Sequence, residues 1–195
     1  WAFLPYDWTE HAKSHQINPH SVIDRRKNQG QWLGEYLVSQ QFEHVHLIAH
    51  SAGAWLIDEA AKKVKKYSPN TTIQMTFLDA FVPFSGDSLG ASATWAEQYY
   101  VNDETGRFTE FHLPHAHNVD LSKIDPSFLN DHSFPYQWYG MTVTDGSTPG
   151  ADTYGFIRSL EGGGQTEWNR SVTGPEFAPN PDSTIVLQIP TQEVL

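Results

Sequence analysis

From His44 to Tyr67 the chain reads HVHLIAHSAGAWLIDEAAKKVKKY, and the period of its apolar positions changes midway. A short run rich in Val, Leu and Ile breaks at a corner of small residues holding one serine, after which apolar residues recur at helical spacing. This pattern predicts strand, sharp turn and helix. Ser51 stands at the turn, and Trp55, Leu56, Ala60, Val64 and Tyr67 share one stripe of a helix from Ala52 that stops before Pro69. Lys62, Lys63, Lys65 and Lys66 fall in its last turns, where cations suit the helix dipole, and read as a solvated face.

Upstream, Trp1 to Trp8 predicts an apolar strand and His11 to His20 a loop. Ser21 to Gln41 places Leu33, Tyr36 and Leu37 on one face with Arg25, Arg26 and Lys27 outside it, the pattern of an amphipathic crossover helix. Downstream, TTIQMTFL at Thr71 to Leu78 predicts a strand closed by Asp79, Thr94 to Val101 a further strand or short helix, and Phe111 to Leu121 a strand with histidines around it. Strands alternating with helices imply an α/β class with a mostly parallel sheet and flanking helices. Ligands in such sheets gather at the carboxyl ends of the strands, where Ser51 and Asp79 both fall. From Asp145 the composition shifts to Gly, Pro, Ser and Thr, with one strand expected at Thr184 to Ile189. The expected organisation is a core over 1–145 and a Gly/Pro-rich extension over 146–195 packed on the same domain.

Composition narrows the partners. A net charge of -11 opposes nucleic acid and anionic membrane surfaces, both of which need a positive face. No apolar run reaches the roughly 18 residues of a transmembrane segment. With no cysteine there is neither a disulfide nor a thiolate zinc site, and the compartment is left open with secretion slightly favoured. At 195 residues the chain is one domain on length, and it opens at Trp1 without a methionine, so removal of an upstream segment is expected.

The corner Ala49-His50-Ser51-Ala52-Gly53 follows the G-x-S-x-G nucleophile elbow with Ala in place of the first Gly. Small neighbours let a tight turn push a serine hydroxyl into the open while strand and helix pack closely. Serine is a poor nucleophile at neutral pH. An imidazole must take its proton, and a carboxylate must hold the imidazole's tautomer. The negative oxygen that forms on the substrate needs backbone N–H donors, and the elbow offers that of Ala52 at the helix start.

VHLIAHSAGA, then FLDAFVP, then HSFPYQWY, resembles the serial order of the α/β-hydrolase lipases and esterases, most closely the branch of the pancreatic-type lipases. The Tyr6-Asp7-Trp8 segment is also similar to the Asp-Trp that ends the preceding strand in that branch. The resemblance implies an α/β-hydrolase fold and an esterase or lipase acting without a cofactor on a small-molecule or lipid ester. By position it implies Ser51 as nucleophile, Asp79 as acid and His132 as base. The departures are Ala49 for Gly, Ala80 for Pro, and no upstream strand with the loop that gives the second oxyanion donor. The sheet is therefore expected to be incomplete at the N-terminus, with an upstream segment or a second chain completing it beside residues 1–8.

Alternatives stand beside these assignments. Asp103, after the next strand, sits where many other α/β hydrolases keep the acid, with Asp120 a further candidate; His117 is the other candidate base. His44 and His46 alternate along a strand as packed or hydrogen-bonded residues, and His50 reads as a neighbour of the elbow. His112, His115 and His117 with Asp120 match no established zinc spacing, so no metal site is expected. Trp8, Phe81 and Phe84 lie in segments expected at the rim, where they would favour an apolar acyl or aromatic acid portion. The functional alternative is a catalytically inactive hydrolase-fold protein serving as a binding or structural module.

Overall fold

The computed structural model describes residues 2–7, 19–83, 88–102, 108–109, 111–124, 131–152, 154–159, 161–162 and 185–188; at 19–26, 131 and 185–188 it describes the backbone alone. Among the described residues, five strands form one sheet in the order β1 (His44–His50), β2 (Thr72–Leu78), β3 (Trp95–Tyr100), β4 (His117–Lys123) and β5 (Ile185–Gln188). Every neighbouring pair is parallel. Helices α1 (Pro19–Gln40), α2 (Gly53–Tyr67) and α3 (Phe134–Thr144) flank it, which makes the protein α/β with an all-parallel sheet.

The pairing of β1 with β2 sets Val45, Leu47 and Ala49 beside Ile73, Met75 and Phe77 on one face. That face packs under Leu33 and Leu37 of α1 and Trp55, Leu56, Ala60 and Val64 of α2 to form the larger core. On the opposite face Leu78, Tyr99, Val119 and Leu121 meet Phe134, Trp138 and Tyr139 of α3 in a second core. Both faces of the inner strands are covered, so β2 and β3 are buried along almost their whole length, as parallel strands usually are. The two long helices approach closely because α1 carries Gly30 and Gly34 on its inner side. A Cβ at Gly30 would lie 2.3 Å from the Leu56 carbonyl oxygen, and one at Gly34 2.6 Å from Lys63 Cβ.

Several elements depart from the sequence reading. Residues 2–7 form no strand, which corrects the strand expected over Trp1 to Trp8; Tyr6 instead packs at the α1 side, with its hydroxyl donating to Gln29 Oε1 at 3.0 Å. β1 is the edge strand among the described residues. β4 starts only at His117, because Phe111–Ala116 turns before entering the sheet and Asn118 closes that turn by donating to the Leu113 and Ala116 carbonyls. Tyr36 and Tyr67 face solvent, at 44% and 55% exposure, although their spacing places them with the buried stripes. On α1 the buried face is Gln29, Gly30, Leu33, Gly34 and Leu37, and two glycines there leave no room for an aromatic ring. Lys62 and Lys63 do not merely solvate a face: Lys62 pairs with buried Asp58 at 2.8 Å, and Lys63 reaches Glu35 of α1 at 2.8 Å. β5 falls within the single strand expected in the C-terminal extension.

Candidate active site

The ladder between β1 and β2 runs one residue past β1, with Ser51 N–H donating to the Leu78 carbonyl at 2.9 Å. The chain then reverses sharply. Ser51 has φ of +55°, a left-handed conformation that costs a non-glycine residue about 1–2 kcal/mol. The small corner residues make the reversal possible: a Cβ on Gly53 would already stand 3.2 Å from Ala49 Cβ. Helix α2 begins at once, with Ala52 as its N-cap residue.

The loop after β2 is held against this corner. Phe81 N–H donates to the Ser51 carbonyl at 3.1 Å, and the Phe81 carbonyl accepts from Trp55 Nε1–H at 2.8 Å. Asp79, which opens the loop, also adopts a positive φ, +50°. Its N–H donates to the Tyr99 carbonyl at 2.8 Å, so the end of β3 sets its backbone. Of the three non-glycine residues with positive φ among the described residues, two are Ser51 and Asp79. Strain of this kind persists only where the surroundings over-determine it, and it gathers at functional sites.

The third residue arrives from far along the chain. His132 lies in the 3-10 turn Asp131–Ser133 that leads into α3. Trp138 of α3 is fully buried with its ring 5.0 Å from that of Tyr99, and Tyr139 lies 5.7 Å from the same ring. Tyr99 therefore holds the backbone of Asp79 through its carbonyl and docks the helix that follows His132 through its ring. The outcome is a linear array. His132 Nδ1 lies 2.6 Å from Asp79 Oδ2, and His132 Nε2 lies 3.0 Å from Ser51 Oγ. With Nδ1–H donating to the carboxylate, the Nε2 lone pair faces the serine hydroxyl. Asp79 is 1% exposed, and its other oxygen accepts from Val101 N–H at 3.3 Å.

The remaining candidates lie elsewhere. Asp103 is outside the described residues. Asp120 accepts from the N–H and hydroxyl of Ser122, two residues along β4. His117 opens β4, at the amino end of a parallel sheet and so at the far end from Ser51, where it stacks on Tyr154. Burial, with a smaller push from the Arg158 cation, lowers its pKa to about 4. His112 meets the Tyr100 hydroxyl at 2.9 Å, so His112, His117 and Asp120 are each engaged separately; no group of three or more metal-binding side chains exists among the described residues. Trp8 and Phe84 are outside the described residues, while Phe81 is half-buried with its ring 5.7 Å from Phe108.

The sequence reading did not anticipate a polar chain beneath the array. His46 bridges Glu161 and the Thr76 hydroxyl, Thr76 donates to Glu97 Oε1 at 2.7 Å, and Tyr99 OH donates to Glu97 Oε2 at 2.8 Å. Burial raises the pKa of Glu97 against the lowering effect of these two hydrogen bonds. The alternation of His44 and His46 with apolar residues was the available signal that polar side chains line one face of β1, but their partners come from positions too distant to infer. Equally unanticipated is the contact of His50 with the His132 main chain, described below. Comparison with known proteins finds no match: no family, no curated protein and no solved structure.

Proposed function

We propose that this chain is a serine hydrolase that cleaves carboxyl esters through Ser51, His132 and Asp79, on an α/β-hydrolase fold similar to that of the pancreatic-type lipases. The observation that carries the reading is the array itself, a strained and part-exposed serine within hydrogen-bond reach of an imidazole whose other nitrogen meets a buried carboxylate. In the proposed reaction Ser51 Oγ attacks the ester carbonyl as its proton passes to His132 Nε2. Asp79 stabilises the imidazolium and keeps its orientation. The Ala52 N–H, at a helix start where N–H groups lack intrahelical acceptors, stabilises the oxygen that gains charge. Collapse expels the alcohol with the proton from His132. Water then attacks the acyl-enzyme with His132 as base and releases the acid.

The substrate we propose is a small-molecule or lipid ester whose apolar portion lies along Phe81 and the exposed ring of Tyr136, and no cofactor takes part. No helix among the described residues is long and apolar enough to cross a membrane. Residues 2–7 form no strand, so we propose that an upstream segment or a second chain completes the sheet at the edge that β1 forms among the described residues. That segment would bring the second oxyanion donor. The competing reading, a binding or structural module without activity, draws on there being one elbow donor, that of Ala52. Labelling with an active-site phosphonate, which needs an activated serine, separates the two. Stoichiometric modification of Ser51 together with turnover of p-nitrophenyl esters supports the hydrolase; absence of both leaves the module.

A further inference from the structure

We propose that His50 is a positioning residue for His132, acting through the main chain. This rests on the hydrolase reading above. The Nε2–H of His50 donates to the His132 carbonyl at 2.7 Å, and the two rings lie 4.5 Å apart at 41°. The edge of Tyr136, on the first turn of α3, closes against the His50 ring at 4.9 Å. His50 ends β1 and is covalently next to Ser51, so the donor and the nucleophile belong to one rigid corner. The separation of Ser51 and His132 is thereby measured from the nucleophile's own strand. Asp79 restrains the imidazole sideways through Nδ1, but a side-chain contact leaves the backbone free to pivot. A donor on the carbonyl of the same residue removes that pivot.

The chemistry of the contact also specifies the state of His50. A carbonyl only accepts, so Nε2 must carry the proton. Burial lowers the pKa of His50, with the backbone hydrogen bond and Asp79 opposing it and the neighbouring His132 adding to it, a net direction that favours the neutral ring. Neutrality matters because a cation 4.5 Å from His132 would oppose the imidazolium that forms during attack. The Ser51 to His132 contact, at 3.0 Å, has little slack before hydrogen bonding is lost. A misplacement of about 1 Å costs on the order of 10²-fold in rate.

The test compares wild type with His50→Phe, which keeps the ring and its contact with Tyr136 but loses the donor, and with His50→Gln, whose amide restores a donor at the Nε2 position. Ester turnover, phosphonate labelling of Ser51 and the NMR signal of His132 Nδ1–H are measured on each. His50→Phe is expected to lose about 10- to 100-fold in kcat with KM within about twofold, while the Nδ1–H signal shifts or broadens. His50→Gln is expected to recover most of both. If His50→Phe does not fold, His50→Asn, whose amide falls short of the carbonyl, replaces it. Wild-type kcat and an unchanged Nδ1–H signal in the variant lacking the donor overturn the proposal, as does failure of His50→Gln to improve on it. Should the wild type neither hydrolyse esters nor react with the phosphonate, the hydrolase reading fails by itself, and the NMR comparison still decides whether His50 places His132.

Discussion

Asp79 and His132 meet at 2.6 Å although 53 positions separate them in the chain, and the carboxylate is buried while the imidazole is a third exposed. A charge-assisted bond of that length holds the ring in the tautomer that leaves Nε2 open to Ser51. Asp79→Asn is therefore expected to lower kcat by about 10³- to 10⁴-fold, because an amide stabilises the wrong tautomer. Asp103→Asn is expected to leave kcat within about threefold. Steady-state kinetics on both variants decides the acid, and a larger loss at Asp103 moves the assignment there.

Ser51→Ala is expected to abolish ester turnover by about 10⁴-fold or more and to block phosphonate labelling. Alanine also disfavours the left-handed region, so stability should change by no more than about 1 kcal/mol, as measured by denaturant unfolding. Retained activity in the purified variant would exclude Ser51 as nucleophile.

Two helical glycines, Gly30 at the interface of α1 and α2 and Gly140 in the open on α3, are predicted to respond in opposite ways to substitution. Gly30→Ala would force a Cβ to within 2.3 Å of the Leu56 carbonyl oxygen and 2.8 Å of Glu59 Cβ. The overpacking cost of about 1–3 kcal/mol exceeds the roughly 1 kcal/mol gained in helix propensity, so the variant should be destabilised. Gly140→Ala in α3 meets nothing within 4 Å and should stabilise by about 0.5–1 kcal/mol. Urea midpoints of the two variants should shift in opposite directions.

His117 makes stability depend on pH in a stated direction. Its folded pKa, about 4, lies below its ordinary value of 6.5, so the unfolded chain takes up the proton first as pH falls. The contribution is complete above the ordinary value and is lost as pH falls towards about 4. Partial exposure of the ring reduces this to about 1–2 kcal/mol. Between about pH 7 and pH 4 the wild type should lose that much more stability than His117→Gln; parallel losses in unfolding titrations would exclude the effect.

How much of this was legible in the sequence depends on how local the cause is. Residues 44–67 announce strand, corner and helix because apolar period, small residues and chain order act within a few positions. The run from Thr71 to Leu78 reads as a strand for the same reason, and the order of Ser51, Asp79 and His132 along the chain was open to comparison with a known pattern. Tertiary structure alone decided where these pieces stand. Residues 2–7 carry strand-forming side chains yet form no strand, since such a segment gains its hydrogen bonds only from a neighbour at the correct edge. Tyr36 and Tyr67 follow helical spacing but face water, because close approach at Gly30 and Gly34 sets which side of each helix meets the other. The placement of β1 at the edge, the bond from His50 to the His132 carbonyl and the pairing of His46 with Glu161 across 115 positions depend on packing of the whole sheet. Periodicity determines which residues need a covered face; it does not determine which distant residues cover them, because that choice is made by shape and hydrogen-bond satisfaction once the strands have assembled.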